Sequence, residues 1–191
     1  MNWNTLIDGM KAGSFLAMAR MITGVENRKP GWTDAMKQIS RSPGHSRTIG
    51  ISGFPGSGKS TATARIVHEL VKREKTVGVI AIDPSSPFSG GAFLGDRIRM
   101  TDLAGMPGVF IRSMSSRGAT GGLNQAIRDV IRIMDAFGKD FILVETVGAG
   151  QDEIDVAKVV QTVLLICAPG QGDAIQHLKS GIMEIADIYV V

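Results

Sequence analysis

The chain has 191 residues, 43% hydrophobic and 20% charged, with a formal net charge of +3. That is enough chain for one medium domain with a core of ordinary size, and the single cysteine, Cys167, excludes an internal disulfide. Residues 1–80 hold 12 basic and 5 acidic side chains, yet the cations are scattered and Tyr189 is the only tyrosine, which argues against a nucleic-acid surface.

The longest apolar run, 163–168, is far short of the roughly 20 residues a spanning helix requires. Met1-Asn2-Trp3-Asn4 has neither the basic nor the apolar segment of a secretion signal. A cytoplasmic setting is therefore expected. Glycine is abundant, with 24 residues, and glycine is used where backbone bends sharply or approaches a ligand.

Residues 1–46 read as a helical arm. Ser14 can cap a helix whose Phe15, Met18, Ala19 and Ile22 recur at helical spacing. Pro30-Gly31 breaks it, and 32–39 forms a second helical segment. Five of the ten methionines fall in the first 36 residues and read as packing of this arm. Ser42-Pro43-Gly44 is a loop signal dividing it from a domain over 47–191.

From Thr48 strands and helices alternate. The pattern predicts strands at 48–52, 76–82, 109–112, 141–145, 162–167 and 188–191, the last of them buried. Helices are predicted at 60–73, 122–137 and 173–185. Glu69 and Arg73 stand at i,i+4 on the first of these, a favourable pair. Strands such as Phe141-Ile142-Leu143-Val144 are apolar on both faces, as in a parallel sheet covered by helices on each side. The fold class is α/β: a three-layer sandwich with a mostly parallel sheet, preceded by a helical arm.

Gly53-Phe54-Pro55-Gly56-Ser57-Gly58-Lys59-Ser60 fits the phosphate-loop pattern of P-loop NTPases, between a predicted strand and a predicted helix. Its glycines let backbone N–H groups surround an anion, and the helix N-terminus adds partial positive charge. Gly53, Pro55, Gly56, Ser57, Gly58, Lys59, Ser60 and Thr61 are the candidate nucleotide-binding residues. Lys59 can reach the β- and γ-phosphates, and the Ser60 hydroxyl can ligate Mg²⁺. Phe54-Pro55 leaves no lysine in the variable stretch, which disfavours ATPases that place a second lysine there.

A Mg-nucleotide site also needs carboxylates at strand ends. Asp83 follows the second strand and Glu145 ends the fourth, both where a parallel sheet opens onto its carboxyl edge. Glu145-Thr146-Val147-Gly148 has the form of a γ-phosphate-sensing turn, with the Gly148 N–H as donor. Residues 84–99 read as a long loop, either a surface Ω-loop or a functional segment. Within it Asp96 offers a further Mg ligand, beside Arg97 and Arg99. Arg117 to Gly122 reads as a tight glycine-rich loop with a helix cap. His45, His68 and His177 have no metal-ligand spacing to Cys167, which argues against zinc or a Cys/His nucleophile.

Together these segments resemble the methylmalonyl-CoA mutase-associated G proteins, the MeaB/ArgK-type P-loop GTPases. The resemblance rests on 53–61, 83–87 with 95–100, Ile111 to Met114, Glu145 to Gly148, and Pro169 to Asp173. It implies Mg²⁺ and GTP or GDP as ligands, with Asp83, Asp96 and Glu145 as the carboxylates of the Mg²⁺ and switch regions. Residues 84–100, 145–153 and 169–179 would be three switches. It further implies slow GTP hydrolysis coupled to cofactor loading and protection of an adenosylcobalamin-dependent acyl-CoA mutase. The guanine-reading motif would follow directly after Val191 and the dimerisation arm beyond that, so the G domain over 47–191 would be incomplete at its C-terminus.

For hydrolysis, Lys59 and Mg²⁺ would neutralise charge, with Glu145 beside them. Asp83 and Gln151 both remain as residues to orient the attacking water. The alternative reading is an ATP-dependent kinase or ATPase linked to arginine/ornithine transport.

Overall fold

A computed structural model describes residues 1–42, 44–83, 101–115, 123–146, 148, 151–168 and 182–191. At 83, 101, 115, 123, 124, 151–153 and 182 the description is of backbone alone.

The arm contains three helices: α1 (Trp3–Lys11), α2 (Phe15–Glu26) and α3 (Trp32–Ile39). Side-chain oxygens start the first two. Asn2 accepts the Thr5 N–H at 3.2 Å, and Ser14 accepts the Ala17 N–H at 3.2 Å, as its place before Phe15 predicts. The Trp3 indole donates to the Pro30 carbonyl at 2.7 Å and ties α1 to the turn before α3. Met10, Met18, Met21 and Met36 are buried, in keeping with a packing role for the arm's methionines.

The remaining elements are β1 (Arg47–Gly53), α4 (Lys59–Lys72), β2 (Val77–Asp83), α5 (Thr101–Ala104), β3 (Val109–Ser115) and α6 (Leu123–Ala136). They continue with β4 (Phe141–Glu145), α7 (Gln151–Ala157), β5 (Thr162–Ile166), α8 (Ile182–Ile185) and β6 (Ile188–Val190). All six strands form one parallel sheet in the order β3-β2-β4-β1-β5-β6. The chain moves outward from β1 to β3, returns to insert β4 beside β1, then crosses to β5 and β6. Gly53, Asp83 and Glu145 consequently end neighbouring strands at one edge of the sheet, the edge at which such sheets bind ligands.

Both faces of the sheet are covered. On β2, Val77, Val79 and Ala81 point into a core with Val67 of α4 and Leu103 of α5, while Ile80 and Ile82 point into the core on the other face. That second core joins Ile127, Val130, Ile133 and Met134 of α6 to Met18, Met21, Ile22 and Val25 of α2. The arm is also held by an ion pair between Glu26 and Arg112 of β3, and by Phe15, whose ring lies 6.0 Å from that of Phe110.

Two sequence expectations change. In this 191-residue chain the terminal strand is exposed, with Ile188 and Tyr189 48% and 47% accessible, and among the described residues β6 pairs with β5. An apolar run marks a strand but does not say how far from the edge it lies. Glu69 takes Lys72, at i+3, as its ion-pair partner at 2.7 Å, while Arg73, the C-cap of α4, acts on it through charge alone. Helix α7 was not anticipated. Of the helix expected at 173–185, only Ile182–Ile185 lies within the described residues.

Candidate functional site at the carboxyl edge of the sheet

The site begins where β1 stops. Gly53 (φ +148°), Gly56 (φ +80°) and Gly58 (φ +95°) all adopt positive-φ backbone that L-residues avoid, so the chain folds back tightly before α4. Gly58 is the N-cap of α4 and supplies no side-chain hydrogen bond to it. The N–H groups of the first turn have no partners within a helix, so the start of α4 presents donors to the loop it closes.

Lys59 opens the helix and is 7% exposed. Its ammonium donates to the carbonyls of Gly53 at 2.8 Å and Phe54 at 2.9 Å, which sets the amine against the floor of the loop. The Ser57 hydroxyl is buried in the same loop and has no partner among the described residues. A buried hydroxyl and a row of helix-start N–H groups around one lysine form a donor set suited to phosphate oxygens.

Glu145 closes β4 at 5% exposure and reaches toward α4. One carboxyl oxygen accepts from the Ser60 hydroxyl at 2.6 Å and the other from the Thr63 hydroxyl at 2.6 Å. Glu145 and Ser60, each expected as an Mg²⁺ ligand, thus touch each other directly, and the two bring together oxygen atoms of the kind Mg²⁺ takes. Thr146 follows, 3% exposed, and bonds through its N–H and hydroxyl to the Ile51 carbonyl at 3.1 and 3.2 Å.

Gly148 is buried against the phosphate loop with φ +92°. A Cβ there would collide with the Gly53 carbonyl oxygen and the Lys59 ammonium. Only glycine lets this backbone approach the loop so closely.

Of the other predicted residues, some are exposed on the loop and α4 and the rest lie wholly or partly outside the described residues. Pro55, Gly56, Gly58 and Thr61 are exposed on the loop and on α4. Asp83 ends β2 opposite Ser115, but its side chain lies outside the described residues. Gln151 begins α7 with only its backbone described. Asp96, with 84–100, and all of 169–179 lie outside the described residues, as does the 116–122 loop. Among the described residues no group of three His, Cys, Asp or Glu could hold a metal. Cys167 lies just past β5, half-buried, its N–H donating to the Val190 carbonyl at 2.7 Å. No described helix is long and apolar enough to cross a membrane.

Sequence reasoning missed Thr63. Its signal is its position, one turn beyond Lys59 and Ser60 on the sheet-facing side of α4, where a hydroxyl stands among apolar neighbours.

The profile described as methylmalonyl Co-A mutase-associated GTPase MeaB matches residues 18–191. A Pyrococcus abyssi protein carrying a provisional GTPase name is 51% identical over 186 residues, 97% of this chain and 57% of that protein. The Escherichia coli protein named GTPase ArgK is 39% identical over 186 residues, 95% of this chain and 56% of that one. A crystal structure described as a LAO/AO transport system kinase is 31% identical, with a TM-score of 0.78 over 99% of this chain and 55% of that one. The chain thus spans just over half the length of the curated relatives it matches.

Proposed function

Because this chain belongs to the family of methylmalonyl Co-A mutase-associated GTPases, we propose that it binds a guanine nucleotide at the phosphate loop and contributes to Mg²⁺-dependent GTP hydrolysis. Residues 1–46 serve as a helical arm on a P-loop domain over 47–191. The observation behind this reading is the paired contact at the sheet edge: Lys59 seated on Gly53 and Phe54, and Ser60 bonded to Glu145.

In this reading Gly53, Pro55, Gly56, Ser57, Gly58, Lys59, Ser60 and Thr61 surround the phosphates. Backbone N–H groups and the Lys59 ammonium neutralise charge that develops on the phosphoryl oxygens. Ser60, Asp83, Asp96 and Glu145 are the residues that would hold Mg²⁺, which when bound supplies further charge neutralisation between the phosphates. The Gly148 N–H senses the terminal phosphate. Asp83 or Gln151 orients the attacking water.

The family description supports a physiological role beside methylmalonyl-CoA mutase. There the chain would act in the cytoplasm as a nucleotide-dependent chaperone, coupling hydrolysis to loading and protection of the adenosylcobalamin cofactor.

Competition between GTP and ATP for Mg²⁺-dependent binding tests the nucleotide assignment, on this chain and on one extended past Val191. GTP is expected to win in the extended form. Equal affinity there would overturn the GTPase reading in favour of the ATP-dependent transport kinase that the name of the structural relative suggests.

A further inference from the structure

Thr63 is wholly buried, yet it carries a hydroxyl. In a helix that hydroxyl can be satisfied locally, by the carbonyl four residues back, and Thr63 does contact the Lys59 carbonyl at 3.0 Å. The contact to Glu145 is shorter, at 2.6 Å, and reaches across 82 residues of sequence. Ser60 and Thr63 lie at i,i+3 and so share one face of α4. Glu145 bridges them with one oxygen each, both at 2.6 Å.

The two hydroxyls are not equivalent. Ser60 is half-buried beside the loop, whereas Thr63 lies behind it with no exposure. Of the two, Ser60 is therefore the one a ligand in the loop can reach. Without the Thr63 hydroxyl, the inner oxygen of a buried carboxyl group would lose a short hydrogen bond, a costly change. The carboxyl would then no longer be held from behind and could swing away from Ser60.

We propose that Thr63 is a positioning residue that anchors the inner oxygen of Glu145, so that the outer oxygen and the Ser60 hydroxyl are held as a ready-made pair for a divalent cation. This rests on the nucleotide-site reading above. Thr63 touches neither cation nor nucleotide; it acts through Glu145, as outer partners of metal ligands do.

The test uses the chain extended past Val191, as parent and with Thr63→Val, which keeps shape and burial but removes the hydroxyl, or Thr63→Ser, which keeps the hydroxyl. A fluorescent GDP analogue is titrated in EDTA and across a Mg²⁺ series. Thr63→Val is expected to need roughly tenfold more Mg²⁺ for half-maximal effect, with affinity in EDTA unchanged, and Thr63→Ser is expected to return the Mg²⁺ requirement to that of the parent. Thr63→Ala, a second route to the same loss, should shift the requirement in the same direction. In the metal-free chain, Thr63→Val and Glu145→Gln should be non-additive in thermal melting.

An unchanged Mg²⁺ requirement in Thr63→Val would overturn the assignment. So would equal losses with and without Mg²⁺ that Thr63→Ser fails to restore, since those mark a packing role alone. Failure of the parent chain to bind the analogue at all would instead sink the nucleotide-site reading, and this proposal with it.

Discussion

Lys59 and Lys139 are both buried, at 7% and 3% exposure, and they stand at opposite edges of the same sheet. Lys59 follows the carboxyl end of β1 and lies against two carbonyls of a glycine-rich loop. Lys139 precedes β4 at the amino edge. Its ammonium donates to the Gly108 carbonyl at 2.8 Å and sits 4.4 Å from the centre of the Phe15 ring and 5.4 Å from that of Phe137. Burial pulls the Lys139 amine down to about 8, although Asp140 opposes the shift. One lysine is embedded in backbone dipoles that can also receive phosphate. The other is wedged between aromatic rings of the arm and of α6's end, where it seals a seam. Burial of a cation alone does not mark a binding site; its surroundings do.

If that contrast is right, the two lysines separate binding from stability. Lys59→Ala should lower Mg-nucleotide affinity by about 100-fold, the effect of losing a strong charge-assisted contact. Thermal unfolding of the variant should stay cooperative. Fluorescent-nucleotide titration and calorimetry on the same sample check both halves. Normal hydrolysis by this variant would remove the central premise of the site.

Lys139→Ala should do the reverse. It removes the cation–π contacts, takes one of two donors from the Gly108 carbonyl, which keeps the Val77 N–H, and leaves a cavity between α2 and the domain. Relief of the buried charge offsets part of this, so a loss of about 2 kcal/mol is expected. Denaturant unfolding measures it, and nucleotide affinity should not change.

The same lysine predicts a pH dependence whose sign follows from its lowered value. Between about 8 and the ordinary lysine value of 10.5, the unfolded chain binds more protons at this position than the folded one. Stability from Lys139 therefore rises as pH climbs through that window, and the cost of burying its charge is fully present below about 8. Other groups titrate there too, so the readout is a difference. The gap in unfolding free energy between the parent and Lys139→Met should move in the parent's favour from pH 7 to pH 10. A pH-independent gap would mean that the amine is not desolvated as its surroundings imply.

The two edges also differ in how far the sequence disclosed them. Gly53 to Ser60 was readable because phosphate binding constrains residue type and spacing together, and β1 and α4 frame the loop as that chemistry requires. Glu145 was readable as an acid at the end of an apolar strand. Thr63 was not, because its role depends on Glu145, 82 residues away, and only the folding of β4 beside β1 brings them together. Lys139 was silent for the same reason: its partners come from α2 and from the turn before β3.

The smallest test probes whether the seam depends on the placement of Phe15. Ser14 caps α2, and the residue it presents first is Phe15, whose ring lies against those of Phe110 and Phe137 as well as Lys139. Ser14→Ala removes the bond to the Ala17 N–H and should cost about 1 kcal/mol. If fraying of that first turn also loosens Phe15, Ser14→Ala and Lys139→Ala will be less than additive, because both weaken the same contact. If they add, the cap acts within the arm alone and the seam is held by Lys139 through Phe137 and Gly108. In either case nucleotide binding at the far edge of the sheet should be unaffected, since no described contact of Ser14 or Phe15 reaches the phosphate loop.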